Sequence, residues 1–110
     1  MLPLLNRLPY HVYRANKLSF KRTTTSSLEI KVKPGTTNSR FLFIVPKTKV
    51  RLGSHRQRTK RLLSQAVYEL IRQIKNSVDV VVKANTDFSK TALSEVKNTI
   101  KQLFIKANII

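Results

Sequence analysis

Carboxylates are scarce in this chain: 22 Lys and Arg stand against 5 Asp and Glu, a net charge of +17 over 110 residues. Bases in such excess cannot be paired internally, and unpaired charges are not buried. Nearly all of them must therefore face water, and the core must be assembled from short apolar segments set between them. Self-repulsion on this scale is relieved by a polyanion, which points to nucleic acid as partner. The same scarcity excludes much enzymology. Glu29, Glu69, Asp79, Asp87 and Glu95 are scattered, so neither a general acid/base pair nor a carboxylate metal cage is expected. The chain has no Cys, hence no disulfide, thiol nucleophile or Cys-based zinc site. His11 and His55 lack metal-pair spacing and read as surface residues, while Gly35 and Gly53 stand alone rather than in a phosphate-cradling loop.

A chain of this length reads as one domain, residues 1–110, able to bury roughly two thirds of its surface. Its longest apolar runs, Phe41 to Val45 and Val80 to Val82, are far too short to cross a bilayer. Residues 1–28 carry Arg7, Arg14, Lys17, Lys21 and Arg22 and no acid, the composition of a mitochondrial presequence. Pro3 and Pro9 interrupt any early amphipathic helix, however, and a basic start says little in a chain basic throughout. The default expectation is cytoplasmic, with no membrane segment.

Hydropathy patterning predicts the elements. Tyr10 to Lys17 can form a short helix. Ser26 to Lys33 alternates, with Leu28, Ile30 and Val32 on one face, as in a half-exposed strand. Pro34-Gly35 is turn chemistry, and Arg40 to Val45 reads as a strand buried on both faces, pairing with the first as a hairpin. Ser54 can cap a helix on which Leu63, Ala66, Val67, Leu70, Ile71 and Ile74 make one apolar stripe, ending at Asn76-Ser77. Val78 to Ala84 is a further strand, suggesting a βαβ unit, and a last helix from Ser89 or Thr91 buries Leu93, Val96, Ile100, Leu103 and Phe104. With a short extra strand near residues 18–25, the fold class is α+β: a small two-layer sandwich, ferredoxin-like or ribosomal-protein-like, in the order α-β-β-(β)-α-β-α.

The functional signal lies at the start of the long helix. Arg40 to Arg61 holds eight bases and no acid: Arg40, Lys47, Lys49, Arg51, Arg56, Arg58, Lys60 and Arg61. Bases at a helix N-terminus oppose the macrodipole, so a use for them is implied. Arg58, Arg61, Gln65, Tyr68 and Arg72 fall within about 80° of arc at 3.6 residues per turn, opposite the apolar stripe. Such a face suits phosphate oxygens, with Tyr68 available for stacking and no Glu balancing the stripe. Tyr13, Phe20 and Phe88 read first as core.

Arg56-Gln57-Arg58-Thr59-Lys60-Arg61 resembles the Arg-Asn-Arg-x-Lys-Arg at the start of the long helix in the protein subunit of bacterial ribonuclease P. The strand Arg40 to Val45 followed by Pro46-Lys47-Thr48-Lys49 is similar to that family's strand and Ser-Lys-Lys loop. Asn6-Arg7-Leu8 resembles its start, and Asp79 to Ala84 with Leu93 to Phe104 its last strand and helix. Departures are Gln57 for the central Asn, a loop one residue longer, Asn85 where Arg is common, and a shortened first helix. There only Val12-Tyr13 remains of the family's pattern, and Asn16 replaces Gly.

The resemblance implies a ribonucleoprotein that removes 5′ leaders from precursor tRNA. Its RNA subunit and magnesium ions perform the hydrolysis, and no catalytic or metal-binding residue is expected on the protein, a monomer in a one-protein, one-RNA complex. It also implies a left-handed βαβ crossover. RNA-subunit contacts are expected at Lys47, Lys49, Arg51, Arg56, Arg58, Lys60, Arg61, Gln65, Tyr68 and Arg72. Leader contacts are expected at Val12, Tyr13 and Ile30, the last standing where the family often has Tyr. The rival readings are a small basic ribosomal or other structural RNA-binding protein and a basic DNA-binding module, neither of which requires the helix-start motif.

Overall fold

The computed structural model describes residues 2–35 and 38–110. Its elements run α1 (Tyr10–Ala15), β1 (Lys21–Thr24), β2 (Leu28–Pro34), β3 (Arg40–Ile44), α2 (Gly53–Leu70), β4 (Val78–Ala84) and α3 (Leu93–Lys106). Single 3-10 turns lie at Leu4–Asn6, Lys17–Ser19 and Ile71–Gln73. The sheet has the order β1-β2-β4-β3. β4 is antiparallel to β2 and parallel to β3, so β3-α2-β4 is a βαβ crossover.

The expected hairpin between residues 26–33 and 40–45 does not form, because β4 lies between the two strands. Every β4 residue except Lys83 is buried, and such a strand is satisfied only in the sheet interior, with a ladder on each side and a layer on each face. The hairpin partner of β2 is instead β1, closed where the Thr25 amide donates to Leu28 O at 2.8 Å. Gly35 runs alongside the start of β4, where its amide donates to Ser77 O at 2.9 Å. A Cβ there would stand 3.1 Å from the Val78 amide nitrogen, which explains the glycine.

Displaced to the edge, β3 is not buried on both faces: Phe41 is buried, while Leu42, Phe43 and Ile44 are half-buried. Its outer edge is partly covered by the N-terminal segment, through an Arg7–Phe41 bridge and a Leu8 amide donating to Phe41 O at 2.9 Å. This protects part of an edge that would otherwise offer free pairing groups.

The main core lies between the sheet and α2 and α3, centred on Leu28, Ile30, Phe41, Leu63, Val80 and Phe104. A smaller cluster of Leu8, Tyr13 and Val81 holds α1 on the opposite face of the sheet. Helix ends differ from expectation. Leu52, not Ser54, occupies the N-cap of α2, and no side chain caps it. α2 ends at Leu70 and passes into a 3-10 turn before Asn76-Ser77. α3 starts at Leu93 rather than Ser89 or Thr91.

One buried ion pair ties the strands. Asp79, 1% exposed, accepts from Arg40 Nε at 3.0 Å and Nη2 at 2.9 Å, with Lys33 Nζ at 3.9 Å from its second oxygen. The hydrogen bonds it donates to Asp79 hold the Arg40 guanidinium above its ordinary pKa. This pair joins β2, β4 and β3 at one end of the sheet.

Candidate nucleic-acid interface

The basic segment before α2 is a shaped loop. Lys49 and Val50 amides both donate to Pro46 O, at 3.1 and 3.0 Å, and buried Val50 anchors the turn in the core. Arg56 Nη1 then donates to Val50 O at 3.0 Å and Arg51 O at 2.8 Å. Arg56 thus fastens the loop to the first turn of α2, and it positions its neighbours. Lys47, Lys49 and Arg51 on the loop, and Arg58, Lys60 and Arg61 on the helix, are all exposed.

The helix start is held from below. Thr59 is fully buried, and its hydroxyl accepts from the Phe88 amide at 3.3 Å. His55 Nδ1 lies 2.9 Å from Asp87 Oδ2. Asp87 also accepts from the Ser89 amide at 2.8 Å, and hydrogen bonds from Ser89, then His55, lower its pKa. The β4–α3 loop therefore fixes the N-terminal turns of α2, leaving its outer arc to present cations.

Farther along, Tyr68 is 48% exposed and Arg72 is exposed in the turn that follows α2. Gln65 is half-buried, and its amide donates to Glu69 at 3.1 Å. The other Glu69 oxygen lies 3.3 Å from Lys97 Nζ. Hydrogen bonds from Gln65, then Lys97, lower the pKa of Glu69. The stripe is therefore not free of acids, as the sequence suggested: Glu69 bounds it on the α3 side, and Arg58, Arg61 and Arg72 lie clear of that carboxylate network.

The second set of expected residues is divided by the sheet. Ile30 is completely buried in the main core under α2 and α3, so it cannot touch a strand lying against α1. Alternation along β2 sends Lys31 to the α1 side instead. Lys31 Nζ donates to Tyr13 Oη at 2.9 Å. Tyr13 is buried, edge-on to Phe20 at 5.3 Å, and Val12 is half-buried beside it. Register adds further members to this face. Lys31 pairs with Val81, which pairs with Leu42; Glu29 pairs with Lys83, which pairs with Ile44. Half-exposed apolar side chains bordered by Lys31, Lys33 and Lys83 make a surface on which a single strand can lay bases and phosphates together. Lys31 and Lys83 were not among the residues expected to touch RNA, and Phe20 reads first as core from the sequence. Lys31 was readable from the alternation, whereas Lys83 emerges only from the register.

Among the described residues, no three His, Asp or Glu side chains come together as a metal site. No helix is long and apolar enough to cross a membrane.

The Ribonuclease P family model matches residues 11–108, through both faces described above. The chain belongs to the ribonuclease P protein family. A ribonuclease P protein component from Pseudanabaena sp. (strain PCC 6903) is 32% identical over 89 residues, covering 81% of this chain and 77% of that protein. Solved structures agree in fold. The Staphylococcus aureus RNase P protein superposes with a TM-score of 0.81 at 12% identity, over 94% of this chain and 96% of that one. The Thermotoga maritima RNase P protein gives 0.75 at 16% identity, over 88% and 94%. The ribosomal and DNA-binding alternatives are not favoured. As a ribonuclease P protein, the chain is an RNA-binding protein of tRNA processing.

Proposed function

We propose that this ribonuclease P protein binds the catalytic RNA through the α2 start and guides the 5′ leader of precursor tRNA along the α1 face of the sheet. The observation that carries the first half is the Arg56-fastened loop, which sets Lys47, Lys49, Arg51, Arg58, Lys60 and Arg61 outward with no carboxylate partner among the described residues. The second half rests on the Tyr13–Lys31 contact and the Lys83 register, in place of Ile30. Hydrolysis and its magnesium ions belong to the RNA subunit. Four of the five acids here are already engaged: Glu29 with Arg22, Glu69 with Lys97, Asp79 with Arg40 and Asp87 with His55. The protein acts as a monomer with one RNA, in the cytoplasm.

Reconstitution with a bacterial ribonuclease P RNA, assayed on one precursor tRNA, tests this. The isolated protein should not cleave, with or without magnesium, and the mixture should. Replacing Glu29, Glu69, Asp87 or Glu95 by its amide should leave cleavage within about tenfold at saturating protein, against the ~10²–10⁴-fold loss expected of a general acid or base. A variant that assembles but cannot cleave would place chemistry on the protein.

Arg58→Ala, Arg61→Ala and Arg72→Ala should each weaken assembly. Each should also flatten the dependence of log affinity on log salt by somewhat under 1, since one phosphate contact contributes about 0.7–0.9. Melting temperature should hardly move, because these side chains are exposed. Lys90→Ala and Lys101→Ala are the comparison; equal effects at all five positions would mean that diffuse charge alone drives binding.

A further inference from the structure

We infer that the groove between α2, β3 and the N-terminal segment receives one unstacked base of the RNA bound by α2, an inference that rests on the RNA-subunit role proposed above. The groove has a volume of about 720 Å³, within the ~300–1,000 Å³ of ordinary small-ligand sites. It opens at the β3 edge of the sheet, where Phe41 and Phe43 belong to the α2 side and Leu8 and Leu42 to the cluster under α1; none of Tyr13, Lys31 and Lys83, proposed for the leader, lines it.

Its chemistry is divided in the way a nucleotide is. Leu8, Phe41 and Phe43 supply an apolar floor, and half-buried Phe43 is the ring with a face to offer. Arg7, Lys60 and Arg61 stand around the mouth, and none of the lining residues is acidic. Arg7 is oriented by its Nε, which donates to Leu2 O at 3.0 Å and leaves the terminal guanidinium nitrogens for an anion. Gln57, exposed, and Gln65, half-buried, complete the lining. Each amide carries a donor and an acceptor, the complement of a base edge; Gln65 donates to Glu69 and keeps its carbonyl oxygen as acceptor. A purely apolar ligand would leave the cations unused, and a bare phosphate would leave the floor uncovered. A nucleotide has a flat face for the floor, a polar edge for the amides and an anion for the mouth.

Position supports the same occupant. Arg61 and Gln65 belong both to the outward stripe of α2 and to the groove lining. An RNA strand whose phosphates follow Arg58 and Arg61 therefore passes the mouth, and turning out one base costs it only a stacking contact that the floor replaces. Gln57, the departure from the family's Asn, carries its amide one methylene farther from α2 than Asn would.

Two measurements test the groove. Isotope-labelled full chain is titrated with AMP and, separately, with ribose 5-phosphate, following backbone amide shifts. AMP should move the amides of Phe41 to Phe43 and of Gln57 to Gln65, and ribose 5-phosphate should not. This arm uses the unaltered protein and does not depend on a variant folding. In the second arm, Ser64→Phe fills the groove from α2, with Ser94→Phe on exposed α3 as an equally bulky control. Ser64→Phe should weaken RNA-subunit binding at least about fivefold, the lower end for one stacked base, and Ser94→Phe should not. Both results are required. Equal shifts with the sugar phosphate, silent groove amides, or unweakened binding by folded Ser64→Phe would each overturn the inference. If Arg58→Ala and Arg61→Ala still weaken assembly in that event, the RNA-subunit reading survives; if they do not, that reading fails as well.

Discussion

Arg40→Leu should destabilise the protein by about 3–5 kcal/mol, because it strands a buried carboxylate. Asp79 would retain only Lys33 at 3.9 Å, a distance and exposure at which little of the lost bidentate contact is recovered. Asp79→Leu should cost less, since the Arg40 side chain is 31% exposed and can turn its guanidinium to water. The double change to Leu should recover much of the loss, as an apolar pair of similar volume often matches a buried ion pair. Urea unfolding of the four proteins gives the coupling directly. A cost below about 1 kcal/mol for Arg40→Leu would show a weak surface contact instead.

The pH dependence follows from the shifts. The Arg40 pKa is raised, so its contribution is complete below the ordinary arginine range and is lost only as pH rises through the raised value. The lowered carboxylates Asp87 and Glu69 act oppositely. Their stabilisation is present above the ordinary carboxylate range and disappears as pH falls through their lowered values. Both are surface groups, so the acid limb should be shallow and further flattened by salt.

Tyr13→Ala should cost about 3–5 kcal/mol, the usual penalty for deleting a buried aromatic ring, and should abolish leader preference with it. The ring is the buried centre of the small cluster that holds the six-residue α1 on the sheet. A helix that short has no stability apart from its packing. Loss of preference in this variant would therefore report the detachment of α1 rather than a missing stacking contact. Tyr13→Phe separates the two, because it keeps the ring and removes only the acceptor for Lys31. It should be about 1–2 kcal/mol less stable and should still prefer precursor over mature tRNA. Lys83→Ala should weaken that preference while leaving the melting temperature nearly unchanged; Lys31→Ala should weaken it too, at a cost of about 1–2 kcal/mol because it removes the same hydrogen bond to Tyr13. If Tyr13→Phe lost the preference at unchanged stability, the hydroxyl itself would be the contact and the proposed role of the lysines would be wrong.

Much of this was legible in the order of residues. Periodicity alone located β2, the whole of β4 and the apolar stripe of α2, because burial selects side chains at intervals of 2 and 3.6. Arg58, Lys60 and Arg61 marked the proposed interface because charge without partners must stay in water. Helix ends were less legible, since no side-chain cap marks the start of either α2 or α3. A capping signal at Ser54 was present but unused.

What the linear order could not decide was adjacency. Nothing local to β2 or β3 says that β4, which follows both of them and the whole of α2 in the chain, enters between them; that choice minimises exposure of the most apolar strand and is made by the whole sheet at once. Alternation did place Ile30 with Leu28 and Val32 on one face of β2. Only the packing of α2 and α3 decided that this face is the closed one and that Lys31 looks toward α1. Lys83 joined Lys31 through the register of β4 on β2, and Gln57 met Phe43 across a groove because α2 crosses back over the edge of the sheet. Composition and periodicity determine which residues must be inside and which must be wet; the pairing of strands determines which wet residues stand together.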